Sequence, residues 1–185
     1  MKRGFYTIMC AQFLSSLADN ALLIAAIALL TSLSAPEWMT PLLKLFFVIS
    51  YILLAAWVGL FADLMPKGHV MFITNAVKVG GCLLMLFGSH PLISYAVVGI
   101  GAAAYSPAKY GILTELLPAE KLVIANGWIE GLTVVSIILG GGLGGVLVHP
   151  DVADTLMRVF HLEFFGVTNH AEAAIAMIVF IYAAA

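Results

Sequence analysis

Long apolar stretches separated by short polar connections dominate this chain. An α-helix needs about 20 mostly apolar residues to cross the hydrocarbon core of a bilayer. Five stretches approach or exceed that length, at approximately residues 5–33, 41–62, 70–87, 91–113 and 123–148. A sixth begins near Ala171 and is still apolar at Ala185. The pattern predicts an all-α membrane protein, a bundle of six transmembrane helices whose last helix is cut short.

The connections between these stretches contain helix-breaking and turn-forming residues. Proline stands in or beside each of the four short connections, at residues 34–37, 64–68, 89–91 and 118–121. Residues 149–170 form a longer polar connection, whose middle (residues 155–165) we expect to form a short amphipathic helix at the membrane surface. The predicted organisation is five helices over residues 1–148, a periplasmic loop over 149–170, and the start of a sixth helix over 171–185.

Composition excludes a soluble fold. Hydrophobic residues make up 63% of the chain, charged residues only 10%, and the mean hydropathy is +1.09. A soluble domain is nearer about 45–50% apolar and about 25% charged. The eight Lys and Arg residues form no cluster beyond Lys2 and Arg3, so a nucleic-acid partner is not expected.

The distribution of basic residues predicts the orientation. Cytoplasmic loops of membrane proteins carry an excess of Lys and Arg. With the amino terminus in the cytoplasm, the inner segments hold Lys2, Arg3, Lys67 and Lys121, and the outer ones hold Lys44 and Arg158. A cytoplasmic amino terminus is therefore predicted.

The sequence predicts no enzyme, metal site or cofactor. Ser15 and Ser16 have no nearby histidine, and the five histidines fall in loops or at helix ends. The sequence has neither a Gly-rich phosphate-binding loop nor a Cys/His cluster with metal-ligand spacing.

Four ionisable residues fall well inside predicted helices: Asp19, Lys78, Lys109 and Glu130. Each unpaired charge at mid-membrane costs roughly 2.5–3.5 kcal/mol. Two are acids and two are bases, so we expect them to face the bundle interior and compensate one another. Similar depth in the membrane predicts the pairs Asp19–Lys78 and Lys109–Glu130.

Helical spacing supports these inward faces, because residues three or four positions apart share one side of a helix. Each charge shares its face with other polar or small residues, in the sets Gln12/Ser16/Asp19, Asn75/Lys78/Cys82, Gly101/Tyr105/Lys109 and Asn126/Glu130/Thr133.

These charges have two interpretations. They either fix the register of the helices or serve function, and for Lys78 both remain open. Asp19 is central and followed by Asn20, which favours function. Lys109 follows Pro107, which we expect to break the helix, and irregular backbone at membrane depth is tolerated beside a cavity. A lysine there suits an anionic headgroup. The glycine-rich residues 140–145 predict close helix packing or, alternatively, a hinge.

Several segments resemble known transporters. Residues 59–69, with Gly59, Asp63 and Lys67, resemble the signature loop of the major facilitator superfamily, where they would form a cytoplasmic conformational latch. Residues 11–22, 99–113 and 121–127, the last followed by Glu130, resemble the first, fourth and fifth helices of bacterial lysophospholipid transporters.

The resemblance implies a flippase of the bacterial inner membrane. It would move lysophosphatidylethanolamine and related lipids to the inner leaflet, for reacylation by a partner acyltransferase/acyl-carrier-protein synthetase. The substrate-binding or gating residues would be Gln12, Asp19, Asn20, Tyr105 and Lys109, with Glu130 supporting Lys109 and Lys78 a structural charge.

The same resemblance implies a missing half. Members of the superfamily have two six-helix halves with the site between them, so a second half is required. We therefore expect a fragment, a truncated product or a split subunit. Two other functions remain open: a proton-coupled exporter of drugs or metabolites acting through Asp19 or Glu130, and a non-transporting membrane fragment that only binds a partner.

Overall fold

The computed structural model describes residues 3–185, so Lys2, which contributes to the predicted orientation, lies outside the described residues. The helices are α1 (Arg3–Ser32), α2 (Met39–Leu64), α3 (Lys67–Leu86), α4 (Pro91–Leu116), α5 (Ala119–Val148), α6 (Pro150–Phe160) and α7 (His170–Ala184). A short 3₁₀ helix, Leu162–Phe165, lies between α6 and α7. The prediction of an all-α protein is confirmed.

Within residues 3–185, the five helices α1 to α5 are long and apolar enough to cross a membrane. α7 is apolar but has 15 residues. It begins with a capping box, in which Asn169 accepts a hydrogen bond from the backbone N–H of Glu172 and the Glu172 carboxylate accepts one from the Asn169 N–H.

The amphipathic helix in the long connection lies earlier than predicted. The sequence predicts this helix over residues 155–165, but α6 begins at Pro150 and ends at Phe160. Pro150 fits the first turn of the helix, because the N–H that proline lacks has no hydrogen-bond partner within a helix at that position. The negative charge of Asp151 in the same turn interacts favourably with the helix dipole. His161 has a positive φ of 49°, a left-handed conformation that ends the helix.

The prediction that Pro107 breaks its helix is wrong. α4 runs without interruption from Pro91 to Leu116, with Pro107 inside it. Proline removes one backbone hydrogen bond, but packing against neighbouring helices can hold the rest of a transmembrane helix in register. α4 has such neighbours, because α2 and α3 pack along it.

Glycines allow the helices to approach closely. A Cβ atom at Gly140 or Gly144 would lie only 2.5 or 2.7 Å from a carbonyl oxygen of α1. Gly99 and Gly101 serve the same purpose where α4 meets α2 and α3, with carbonyl oxygens 2.8 and 2.7 Å from the corresponding Cβ positions. These residues therefore provide close helix packing, as predicted for the 140–145 segment. A hinge there stays a prediction.

The bundle has apolar packing on both sides of a polar middle. One cluster joins the second half of α1 to α4 and α7, through residues such as Leu22, Leu29 and Ile178. Another joins the start of α1 to the end of α4 and the first half of α5, through Phe5 and Ile129. Between them lie the polar residues that form the candidate site.

Candidate functional site

A polar cavity of about 220 Å³ opens between α1, α2, α4 and α5, with Lys78 of α3 at its wall. Of the predicted site residues, Gln12, Asp19, Asn20, Lys78, Tyr105 and Lys109 all line it. Asp19 and Lys78 lie near the middle of their helices, so the cavity reaches mid-membrane depth. Sequence periodicity thus identified most of one polar site.

Asp19 and Lys78 form the predicted ion pair. Their Oδ2 and Nζ atoms lie 2.9 Å apart, joining α1 to α3. The Lys78 side chain is 1% exposed and that of Asp19 is 19% exposed. Because Lys78 is buried inside the protein, Asp19 provides the negative charge that offsets the cost of burying its ammonium group.

Two hydroxyl groups extend this pair into a network that sequence reasoning missed. Lys78 Nζ donates to Ser15 Oγ at 2.9 Å, and Ser15 Oγ donates to Asn75 Oδ1 at 2.8 Å. Tyr182, in α7, donates from its hydroxyl to Asp19 Oδ1 at 2.6 Å and is buried. The network therefore ties α1, α3 and α7 together at one depth. A tyrosine in an otherwise apolar final stretch was the available signal for Tyr182.

The predicted Lys109–Glu130 pair is wrong. Among residues 3–185, no Lys109–Glu130 ion pair lies within 4.0 Å; Glu130 is exposed and accepts a hydrogen bond from the Tyr110 hydroxyl. Lys109 Nζ lies 4.8 Å from the centroid of the Tyr110 ring. Tyr110 thus contacts both residues. Lys109 faces the buried interior, whereas Glu130 and Asn126, which share one face of α5, face outward, so the two charges do not meet.

Gln12 and Asn20 are held on the cavity wall by hydrogen bonds. Gln12 Nε2 donates to Thr133 Oγ1 at 2.8 Å, which joins α1 to α5. Asn20 Nδ2 donates to the Ser16 carbonyl oxygen at 2.8 Å, one turn back along α1. Thr133 thus faces the cavity, whereas Asn126 and Glu130, which were predicted to share its inward face, do not.

The Tyr105 hydroxyl is the orphaned polar group of the cavity. Tyr105 is 4% exposed, and its hydroxyl has no hydrogen-bond partner among the described residues. Lys78 Nζ lies 4.9 Å from the centroid of its ring. A buried hydroxyl without a partner is costly, so this group suits a hydrogen bond to a bound molecule.

The predicted latch residues lie at the junction of α2 and α3. Lys67 Nζ lies 2.6 Å from Asp63 Oδ1 and also donates to the Ala62 carbonyl oxygen at 2.7 Å. The Lys67 side chain passes close to Gly111 of α4, where a Cβ atom would lie 3.0 Å from Lys67 Cε. A Cβ at Gly59 would meet nothing within 4 Å. Lys67 therefore joins three helices at this end of the bundle.

Comparison with known proteins identifies the relatives of this chain. The sequence pattern of the Major Facilitator Superfamily matches residues 8–184. The chain is 50% identical over 155 residues to the lysophospholipid transporter LplT of Yersinia enterocolitica, and 52% identical over 155 residues to that of Klebsiella pneumoniae. It is 46% identical over 156 residues to the LplT of Serratia proteamaculans.

These alignments include 83–84% of this chain but only 38–39% of each relative. The chain thus spans about two-fifths of the length of the curated relatives that it matches, and it corresponds to their amino-terminal part.

Proposed function

Because the chain belongs to the Major Facilitator Superfamily, we propose that it forms the amino-terminal bundle of a bacterial lysophospholipid transporter. It is a multi-pass membrane protein with an all-α fold. In the proposed activity, lysophosphatidylethanolamine and related lipids move from the outer to the inner leaflet of the bacterial inner membrane.

The polar cavity at mid-membrane depth carries the proposal. It presents acidic and basic side chains together, with Asp19 on α1 and Lys109 on α4. Lysophosphatidylethanolamine is zwitterionic, so its phosphate suits Lys109 and its ammonium suits Asp19 and the surrounding tyrosine rings. The orphaned Tyr105 hydroxyl provides a further donor for the phosphate.

The remaining cavity residues have supporting roles. Gln12 and Asn20 provide amide groups on the α1 wall, where they contact the headgroup or gate its passage. Lys78 keeps Asp19 charged and oriented, and is a structural charge. Glu130 supports Lys109 through longer-range charge attraction and not through a direct ion pair, because its hydrogen-bond partner is Tyr110.

The proposed transporter needs a second six-helix half. Major facilitators bind substrate between two bundles and alternate access by moving one bundle against the other. Gly59, Asp63 and Lys67 would form the cytoplasmic latch that holds one of these states, which requires a cytoplasmic amino terminus. An acyltransferase/acyl-carrier-protein synthetase would then reacylate the delivered lipid.

A flipping assay tests this function. The chain is co-expressed with the carboxy-terminal half of a lysophospholipid transporter and reconstituted into vesicles that contain fluorescent lysophosphatidylethanolamine. We expect movement of the lipid between leaflets, and its loss in the Asp19→Ala and Lys109→Ala variants. Lys121→Ala, an exposed lysine outside the cavity, is the matched control.

The same assay separates the competing functions. Flipping that persists after the proton gradient is collapsed excludes obligatory coupling to protons. Transport of a drug or metabolite without lipid flipping would instead favour an exporter. If no second half restores any transport, the chain is a membrane fragment that only binds a partner.

A further inference from the structure

Lys44 is a cavity residue to which the proposed function gives no role. It lies in the second turn of α2 and lines the same cavity as Asp19 and Lys109. Among the residues that the structure describes, its side chain makes no hydrogen bond or ion pair. Its ammonium group is therefore available to a ligand.

The cavity has an excess of positive charge. Three lysines line it, Lys44, Lys78 and Lys109, against one carboxylate, Asp19. Asp19 is already paired with Lys78. This leaves Lys44 and Lys109 without a carboxylate partner in the described part of the chain, so the cavity favours an anionic group.

The two lysines lie at different depths. α2 and α4 run in the same direction and are joined where Ser50 Oγ donates to the Ala96 carbonyl oxygen at 3.0 Å. Lys44 precedes Ser50 by six residues, about 9 Å along a helix, and Lys109 follows Ala96 by thirteen, about 20 Å. One phosphate group cannot reach both ammonium groups at that separation, even with both side chains extended toward it.

We propose that Lys44 is a second phosphate-binding residue of the cavity, at the end nearest to the start of α2. Lys44 binds the phosphodiester of a lysophospholipid at that end, and Lys109 binds it near the other. The charged headgroup thus has a cationic partner at two successive depths of the membrane. This inference rests on the proposed function, because it assigns a further residue to the same lipid.

Equilibrium binding to the purified chain in detergent tests this assignment. The probes are lysophosphatidylethanolamine, lysophosphatidylglycerol and monooleoylglycerol, which has an acyl chain but no phosphate, and native mass spectrometry measures their dissociation constants. The variants are Lys44→Gln, Lys44→Arg and the charge-matched control Lys121→Gln, each made in a Lys109→Gln chain, because an intact Lys109 would still bind the phosphate at the other depth.

We expect Lys44→Gln to weaken the binding of both phosphate-containing lipids about tenfold, since it removes one charge-assisted hydrogen bond. Binding of monooleoylglycerol should be unchanged, which also shows that the variant is folded. Lys44→Arg should retain the affinity of the Lys109→Gln chain, and Lys121→Gln should not change it. In a chain that keeps Lys109, Lys44→Gln should weaken binding by no more than about twofold, because the phosphate still binds at the other depth.

The outcomes separate the two levels of the proposal. If the wild-type chain prefers the phosphate-containing lipids and Lys44→Gln leaves that preference intact in the Lys109→Gln chain, the role of Lys44 is wrong and the function stands. If the wild-type chain binds monooleoylglycerol equally well, both are wrong. Displacement of the lipid by millimolar inorganic phosphate would indicate a site for free anions and would overturn the assignment to a headgroup.

Discussion

Both carboxylate oxygens of Asp19 have a polar partner in the candidate site. One carboxylate oxygen lies 2.9 Å from Lys78 Nζ, and the other accepts a hydrogen bond from Tyr182 at 2.6 Å. Lys78 is fully buried, so neither member of the pair can lose its charge without leaving the other uncompensated. Asp19 therefore has a structural role in addition to the proposed role in headgroup binding.

The Asp19→Asn variant should be less stable by about 3–5 kcal/mol, because it leaves Lys78 buried without a counter-charge. The double variant Asp19→Asn/Lys78→Met should recover much of that loss, as measured by thermal unfolding in detergent. Tyr182→Phe removes a single hydrogen bond and should cost about 1 kcal/mol. A double variant no more stable than Asp19→Asn alone would contradict the pairing.

The contacts of Tyr110 predict the result of exchanging two charges. In the double variant Lys109→Glu/Glu130→Lys, a direct ion pair would restore the activity that each single change removes. Because Tyr110 is the hydrogen-bond partner of Glu130, we expect no restoration in the flipping assay. Tyr110→Phe should have the same effect as Glu130→Ala, because each removes the hydrogen bond between Tyr110 and Glu130. Recovery of wild-type flipping by the exchange would show that a direct pair forms.

At this scale the sequence predicts most of the side chains that face inward, but not all of their partners, and Asn126 and Glu130 face outward instead. A period of 3.6 residues placed Gln12, Asp19, Lys78, Tyr105 and Lys109 on buried faces. The partners depend on helix rotation and neighbour choice, which the period of a single helix does not contain. For that reason the Asp19–Lys78 pair was predictable from depth, whereas Tyr182 and the Tyr110–Glu130 bond were missed.

At the scale of elements, the contact between α1 and α5 depends on two glycines one turn apart. Gly140 and Gly144 face α1, whereas a Cβ atom at the neighbouring Gly145 would meet nothing within 4 Å. The sequence predicted close packing from the glycine run, but not which glycines face the partner helix, because almost every position of the run is glycine.

The difference in free space beside Gly144 and Gly145 provides a matched pair of variants. Gly144→Ala places a methyl group 2.7 Å from the Ala21 carbonyl oxygen and should destabilise the protein by about 1–3 kcal/mol. Gly145→Ala makes the same chemical change in open space and should alter stability by less than about 0.5 kcal/mol. Unfolding in detergent measures both. Equal effects would mean that α1 does not lie against Gly144.

α6 and the following 3₁₀ helix expose several apolar side chains. Phe164 and Phe165 are 90% and 74% exposed, whereas Ala153 is fully buried against α7. An amphipathic helix that exposes phenylalanine beside charged residues is typical of the membrane interface. The location of residues 149–170 at the periplasmic surface stays a prediction.

Quenching by brominated lipids tests this location. In a background with Trp38, Trp57 and Trp128 replaced by Phe, we expect strong quenching of Phe165→Trp by bromines near the headgroup and weaker quenching by bromines near the chain ends. Thr155→Trp, on the polar face of α6, is the control and should be quenched weakly at every depth. Equal quenching at positions 155 and 165 would exclude an interfacial α6.

At the scale of the whole molecule, hydropathy predicted the fold and the resemblance predicted the family. Both follow from features that the sequence carries locally, since apolar length determines a membrane span and short motifs identify relatives. The cavity needed the assembled bundle, because its walls come from five helices. Lys44 illustrates this limit: its position near the start of α2 suggested only an outer charge, and the fold places it on the cavity wall.

Photocrosslinking measures most directly whether this cavity binds lysophospholipid. A photoreactive lysophosphatidylethanolamine is activated with the chain in lipid nanodiscs, and the labelled peptides are mapped by mass spectrometry. We expect label at cavity residues such as Tyr51 and Tyr105, and we expect excess unlabelled lysophosphatidylethanolamine to remove it. Label confined to outward-facing residues such as Phe72, or label that the competitor does not displace, would contradict binding in the cavity.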